Sequence, residues 1–397
     1  MRGPLRQIRR EDAPAGAGRS SFPAVAVEIT TVKGRRQIGE FIDLPFRLHV
    51  GTPWVTPLKV ERRAFLSRRL NPYFKHGEAE YFLARRDGRV VGRITAQIDF
   101  AYNQFHGARA GMFGFLEFED DPEILRALLA AAEAWLRARG CDQMLGPMDF
   151  SLNDEGGVLI EGFELEPQIR QNWHPPYYQR RVEEAGLEKA MDLLSWKLSI
   201  DDRASMKPII EKLAKRCREK YGVEVRKMTR RSLRKDLDKF AEVYNSAWSE
   251  NWGFVPYSKA DLDTYAIDLQ LVYAKEWFMV AEKDGETIAM AITLMDANQM
   301  QKRMNGKLFP TGWWDFLMRN RTTDRLRVGF LGVKPEWQHT GVAALLYVEH
   351  FEAAARSRLK HGEAGFILET NHAMNSGLEA MNGRVVKKYR VYERKLV

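Results

Sequence analysis

Leu331-Gly332-Val333-Lys334-Pro335-Glu336-Trp337-Gln338-His339-Thr340-Gly341-Val342-Ala343, running on as Ala344-Leu345-Leu346-Tyr347-Val348-Glu349, is the stretch that decides how the chain is read. Val328 to Val333 is an apolar strand run, Pro335 ends it, and a short polar loop leads to a helix whose first turn is Gly, Val, Ala, Ala. Such a strand-loop-helix exposes unpaired amides and the positive end of the helix dipole, and the bare Cα of Gly341 allows a diphosphate to come close. One glycine at a helix start is also an ordinary turn, so the surrounding chain has to decide.

The chain has 397 residues, 45% of them hydrophobic and 11% aromatic. That is a globular composition with room for two domains. Only Cys141 and Cys217 occur, with no CxxC or Cys/His cluster. Neither a disulfide framework nor a metal site is expected, and a cytoplasmic location fits. No run of about 18 apolar residues could cross a membrane, so any contact with the inner face of the cytoplasmic membrane would be peripheral. Residues 1–22 carry Arg2, Arg6, Arg9 and Arg10 without the apolar core of a signal peptide, and read as a flexible basic tail. The net charge of +9 is concentrated between Arg203 and Phe240, where 14 Lys and Arg face 5 Asp and Glu. This segment suits anionic lipid at about 1 kcal/mol per basic residue near the surface, a phosphate backbone, or a solvated helix face.

The pattern comes twice. Strand Val25 to Val32, helices near Gln37 to His49 and Val60 to Leu70, and a hairpin through Asp87-Gly88 are followed by strand Gly111 to Phe118. Helix Leu125 to Arg139 then leads to strand Gln143 to Leu145, a short helix ending near Glu184, and strands to Leu198. From residue 222 the order repeats: strand Val223 to Met228, helices Arg231 to Ser249 and Lys259 to Tyr273, and a hairpin through Asp284-Gly285. A long loop, Asp296 to Arg325, precedes the opening strand. Helix Val342 to Arg358, strand Gly365 to Leu368, helix Met374 to Met381 and a last extended segment, Val385 to Leu396, complete it. Internal duplication is the simplest organisation. We divide the chain into the tail, a first half 23–200, a basic helical linker 201–222 and a second half 223–397.

This order, with Pro335-x-x-Gln338-x-x-Gly341-x-Ala343, resembles the GNAT superfamily of acyl-CoA N-acyltransferases. The expected fold class is α/β (α+β), two tandem GNAT-like domains, each a mixed, mostly antiparallel central sheet flanked by helices. The endings Asn172 to Trp196 and Asn371 to Tyr392 resemble the branch that includes the bacterial ceramide synthases. The resemblance implies acyl-CoA as cosubstrate. Gln338, His339, Thr340, Gly341, Val342 and Ala343 would hold the pyrophosphate, Leu331, Gly332 and Val333 the pantetheine arm, and Asn371 a loop or a pantetheine amide. In the first half the corresponding loop reads Glu119-Asp120-Asp121-Pro122, whose charges repel a diphosphate and whose proline removes a donor. Acyl-CoA is therefore expected only in the second half, with the first shaping or covering the acceptor site.

Transfer to an amine asks for a base, a donor to the thioester oxygen and relief for the leaving thiolate. Glu369 and His372, just after the fifth strand of the second half, are the candidate bases. The helix after that strand offers Leu378 where many family members carry a tyrosine acid, which leaves Tyr389, or its neighbour Tyr392, as the candidate hydroxyl. Asn245, Trp248, Asn251 and Trp252, between the first two helices, and Asp296, Asn298 and Trp313 in the long loop are candidate acceptor contacts. Their aromatic density suggests a long-chain substrate. The loop also reads as a lid or interfacial anchor, with Phe309, Trp313 and Trp314 beside Lys302, Arg303 and Lys307. The expected function is acyl transfer from long-chain acyl-CoA to a lipid-like primary amine of the sphingoid-base type, without nucleic acid as partner. An aminoacyl-tRNA-dependent transferase and a catalytically silent lipid-binding protein are the alternatives, and the sequence leaves the oligomeric state open.

Overall fold

Asp87-Gly88 and Asp284-Gly285 each place two consecutive residues in the left-handed region, with φ of 52° and 74° in the first pair and 50° and 82° in the second. That backbone matches the twist of two-residue hairpins, so both halves are built around the same turn. The structure is a computed structural model describing residues 26–200, 202–257, 259–310, 312–359 and 361–396. The expected basic tail, 1–22, lies outside the described residues.

The first half runs β1 (Glu28–Thr31), α1 (Gly34–Leu48), α2 (Lys59–Phe65), β2 (Gly77–Arg86), β3 (Arg89–Asp99), α3 (Phe100–His106) and β4 (Ala110–Phe118). It continues with α4 (Pro122–Arg137), β5 (Gln143–Gly146), β6 (Val158–Glu161), α5 (Tyr177–Glu184) and β7 (Glu188–Ser199). The second runs α6 (Pro208–Tyr221), β8 (Glu224–Lys227), α7 (Leu233–Trp248), α8 (Lys259–Leu271), β9 (Phe278–Lys283) and β10 (Glu286–Met295). Then come α9 (Asn298–Met304), α10 (Gly312–Leu317), α11 (Arg319–Thr322), β11 (Arg325–Val333), α12 (Val342–Ala355), β12 (His361–Leu368), α13 (His372–Ala380) and β13 (Arg384–Lys395).

The segment expected as a long loop, Asp296 to Arg325, instead contains α9, α10 and α11. Met300 and Met304, four apart and both buried, give α9 an apolar stripe short enough to escape a pattern search.

The two halves share one sheet, in the order β1-β2-β3-β4-β5-β13-β7-β12-β11-β10-β9-β8, with β6 also on β13. The last strand of each half is exchanged: β13 pairs with β5 of the first half, and β7 with β12 of the second. Among the described residues only β4 with β5 and β11 with β12 are parallel. Charged groups join at the exchange. The Lys387 ammonium of β13 donates to Glu363 of β12 at 2.6 Å, and the Ser195 hydroxyl of β7 donates to the same carboxylate at 2.8 Å.

Helix α4 covers β3 with Leu125, Leu128, Leu129, Ala132 and Leu136. Helix α12 is apolar almost all round and therefore needs cover on both sides. The sheet supplies one side and α6 the other.

Candidate functional site

Strands β11 and β12 pair from Arg325 and His361 to Val328 and Ala364 and then part. β11 stays on β10 as far as Val333, and β12 stays on β7 as far as Leu368, so a wedge opens between them. A cavity of about 130 Å³ occupies the wedge, with Leu331, Asn371, Trp248, Asn251 and Trp252 in its wall. Five expected site residues thus meet there. Gly332 and Val333 lie beyond the cavity in the ladder with β10.

At the wide end of the wedge, Pro335–Trp337 makes a short turn and Gly341, at φ 97°, starts α12. The first bond of the helix is from Leu345 N to Gly341 O at 2.9 Å. The amides of Val342, Ala343 and Ala344 have no acceptor among the described residues. Gln338 and His339 are exposed, and the Thr340 hydroxyl donates to the Trp337 carbonyl at 2.5 Å. These free amides fit the diphosphate of an acyl-CoA.

The first half closes the same features. β4 and β5 part after Met112 and Leu145, but Pro147 to Phe150 folds back over the open edge of β4. Met148 N donates to Phe113 O at 2.7 Å, and Phe115 N donates to Asp149 Oδ1 at 2.6 Å. A Cβ on Gly114 would collide with the Met148 carbonyl. At the start of α4, Asp121 accepts from Glu123 N at 2.8 Å, while Arg86 and Arg181 hold Asp121 and Asp120.

The candidate acid and bases are dispersed. Glu369 is committed: its Oε2 is 2.8 Å from Lys189 Nζ, and its Oε1 accepts from Asp192 N at 3.1 Å. His372 is exposed at the start of α13, where Asn371 Oδ1 caps the helix by accepting from Met374 N at 3.0 Å. Tyr389 is fully buried against Phe366 of the wedge, at 4.9 Å between rings, and its hydroxyl has no hydrogen-bond partner. Burial raises its pKa.

The other candidates separate too. Asn245 keeps a buried Oδ1 without a partner. Asp296 is buried and accepts from Ile169 N at 3.0 Å, with Arg325 at 3.2 Å; burial pushes its pKa up to about 6. Asn298 donates to the Pro167 carbonyl at 2.9 Å and lines a larger cavity. Trp313 is 45% exposed, on a surface shared with Phe309, Trp314 and Leu317. In the basic segment, Arg203, Arg218, Arg226, Lys227, Arg234 and Lys239 make ion pairs with carboxylates of the chain.

Sequence reasoning missed two features. Arg327, in the wall of the wedge cavity, is buried; its Nε and Nη2 donate to the Gly365 carbonyl at 3.0 and 2.6 Å, and its Nη1 to the Ile169 carbonyl. Burial pulls its pKa down to about 10. The second is the loop Pro147 to Gly157 of the first half. Leu152 and Asn153 reach the wedge cavity, while Pro147, Asp149 and Glu155 reach a cavity of about 370 Å³ between the halves. Ser151, Asn153 and Asp154 line a third space of about 250 Å³. Polar and apolar residues mix from Pro147 to Glu155 without a period, between Gly146 and Gly156-Gly157, and that mixture carries little signal.

No family model matches the chain. It is 35% identical over 378 residues to the bacterial ceramide synthase of Caulobacter vibrioides (strain NA1000 / CB15N), covering 93% of this chain and 98% of that one. It is 34% identical over 375 residues to protein YghO of Escherichia coli (strain K12), covering 93% and 95%. Among solved structures, a tandem GNAT protein from the clavulanic acid biosynthesis pathway superposes with a TM-score of 0.55 at 13% identity, covering 94% of this chain and 99% of that one. Among the described residues no helix is long and apolar enough to cross a membrane.

Proposed function

Because the chain belongs to the family that includes the bacterial ceramide synthase of Caulobacter vibrioides and YghO of Escherichia coli, and has the fold of tandem GNAT N-acyltransferases, we propose that it transfers a long-chain acyl group from coenzyme A to the primary amine of a sphingoid-type base. The observation that carries this reading is the wedge between β11 and β12 ending at three free amides of α12. In this reading residues 223–397 hold the acyl-CoA, with the diphosphate on the loop Gln338 to Ala343 and the pantetheine arm along the open edges of the wedge. The filled wedge and carboxylate-capped α4 support a first half, 23–200, that binds no coenzyme A.

The acyl carbon would lie where the strands part, beside Arg327. Three of the five N–H bonds of that guanidinium are committed, and two remain for charge developing on the thioester oxygen. An amine of pKa about 10 is nearly all ammonium at pH 7, a deficit of about 4 kcal/mol, so a first proton must go to a base or be lost in a dry pocket. The neutral nitrogen then attacks the thioester carbon, the C–S bond breaks, and a second proton passes from the nitrogen to the thiolate. His372 is the candidate base by position, since Lys189 and the Asp192 amide hold Glu369, and the unpartnered Tyr389 hydroxyl is the candidate donor to the thiolate. Phe309, Trp313, Trp314 and Leu317 are exposed and suit peripheral contact with a membrane, while Lys302 and Arg303 of α9 pair with Glu166 and Asp315.

The purified protein, given C16 acyl-CoA and sphinganine, is expected to release free coenzyme A and form the amide in equal amounts. Failure with every acyl chain from C2 to C18 would overturn the proposal.

A further inference from the structure

The cavity of about 370 Å³ between the halves has a charged wall and an apolar one. Within the charged wall most groups are matched. Arg62 pairs with Glu155, and Glu117 accepts from Tyr178 at 2.8 Å, lies 2.7 Å from His49 Nε2, and has Arg93 at 3.7 Å. Asp149 is the exception. It is only 7% exposed, and its Oδ1 is taken by Phe115 N, but no described residue gives its Oδ2 a hydrogen bond. Arg93 and Asn172 also line the cavity, and Arg93 Nε, a donor, and Asn172 Oδ1, an acceptor, are buried without partners. Ile42, Trp54, Leu66, Leu269, Met295 and Met300 make the apolar wall.

We propose that this cavity is the acceptor pocket, binding a long-chain amino alcohol with its ammonium group on the free oxygen of Asp149, its hydroxyls on Arg93 and Asn172, and its alkyl chain along the apolar wall. The inference rests on the amine-acyltransferase reading and adds where the acceptor sits. A buried carboxyl oxygen without a hydrogen bond is costly, and a ligand ammonium supplies one. Burial, then the charge of Glu155, push the pKa of Asp149 up, outweighing the attraction of the Arg62 and Arg93 guanidiniums. The pocket adjoins the wedge. Ile169 lines it, and the Ile169 carbonyl accepts from Arg327, which lines the wedge cavity. Ile169 and Arg327 thus part the two spaces, so a bound acceptor brings its nitrogen past this pair to reach the thioester in the wedge. The first half, which lost the anion loop, would supply most of the acceptor site.

The test is the melting temperature of the full chain titrated with 2-aminododecan-1-ol, dodecan-1-ol and dodecanoate, for the wild type, Asp149→Asn and Met300→Trp. In Asp149→Asn the side-chain carbonyl oxygen can still accept from Phe115 N, so only the charge is removed. The amino alcohol should stabilise the wild type most. Asp149→Asn should weaken amino-alcohol binding at least tenfold, leave dodecanol binding unchanged, and keep the stabilisation by acyl-CoA. Met300→Trp, which fills the apolar wall, should weaken both the amino alcohol and the alcohol. Tightest binding of dodecanoate, or an amine preference that survives Asp149→Asn, would overturn the proposal. The transfer assay separates the two readings. Amide formation with an unchanged KM for amine in both variants sinks the pocket alone, and amine binding as described without amide formation sinks the transfer alone.

Discussion

The carbonyl oxygen of Leu213, on α6, lies 2.6 Å from where a Cβ on Gly341 would stand. The glycine is thus required by the protein before any ligand is considered, because its backbone is left-handed and α6 rests on it. We expect Gly341→Ala to cost about 2 kcal/mol or more, since the left-handed backbone alone costs an alanine about 1–2 kcal/mol and α6 must also move. The melting temperature should fall by several degrees even without acyl-CoA, and an unchanged value would contradict this packing.

Ala343→Asp separates ligand binding from stability. A carboxylate in the first turn of α12 interacts favourably with the helix dipole by about 0.3–1 kcal/mol, and the same charge repels a diphosphate. The variant should melt at or slightly above the wild-type temperature while its affinity for acyl-CoA falls at least tenfold by calorimetry. Undiminished affinity would remove the diphosphate from this loop.

For Arg327→Met we expect a kcat about 10²–10³ lower, as for loss of one oxyanion donor, with the KM for acyl-CoA changed little. Glu369→Gln should stay within a few-fold of wild type, because the carboxylate is already held by Lys189 and the Asp192 amide. Steady-state kinetics on both variants decide whether the guanidinium or the strand-end carboxylate matters. A kcat collapse in Glu369→Gln with a normal Arg327→Met would reverse the assignment.

Glu117 sits between His49, Arg93 and Tyr178. Burial opposes its charge, but the His49 ring and the Arg93 guanidinium prevail and hold its pKa down at about 2. An unfolded glutamate titrates near about 4.3, so this stabilisation is complete above that pH and is lost as pH falls towards 2. Glu117→Gln should therefore lose roughly 3 kcal/mol at pH 7, the cost of breaking a buried pair, and show a shallower loss between pH 4 and 2. Urea titrations at a series of pH values measure both effects, and parallel curves for the two proteins would refute the pairing.

Local chemistry explains what the sequence disclosed. The two Asp-Gly turns, the apolar run Val328 to Val333 and the helix start at Gly341 are set by neighbours within a few residues, and each stands where its pattern places it. The exchange of β7 and β13 is not local. Both are twelve-residue strands of mixed polar and apolar residues, and their partners lie far away in sequence. The site divides along the same line. Leu331, Asn371 and Trp248 follow from their elements, whereas Asp149, Asp154 and Glu155 sit in a loop without periodicity. Arg93, central in β3, and Glu117, near the end of β4, are charged residues in buried strands that break the apolar pattern and were the readable sign of a polar cavity.

The Gln143 side chain of β5 donates to Glu393 of β13, 250 positions away. At ribosomal speeds of about 5–20 residues per second, β5 waits roughly 12–50 s for the strand that covers its edge. Throughout that interval the nascent first half presents a bare, pairing-competent strand to the cell.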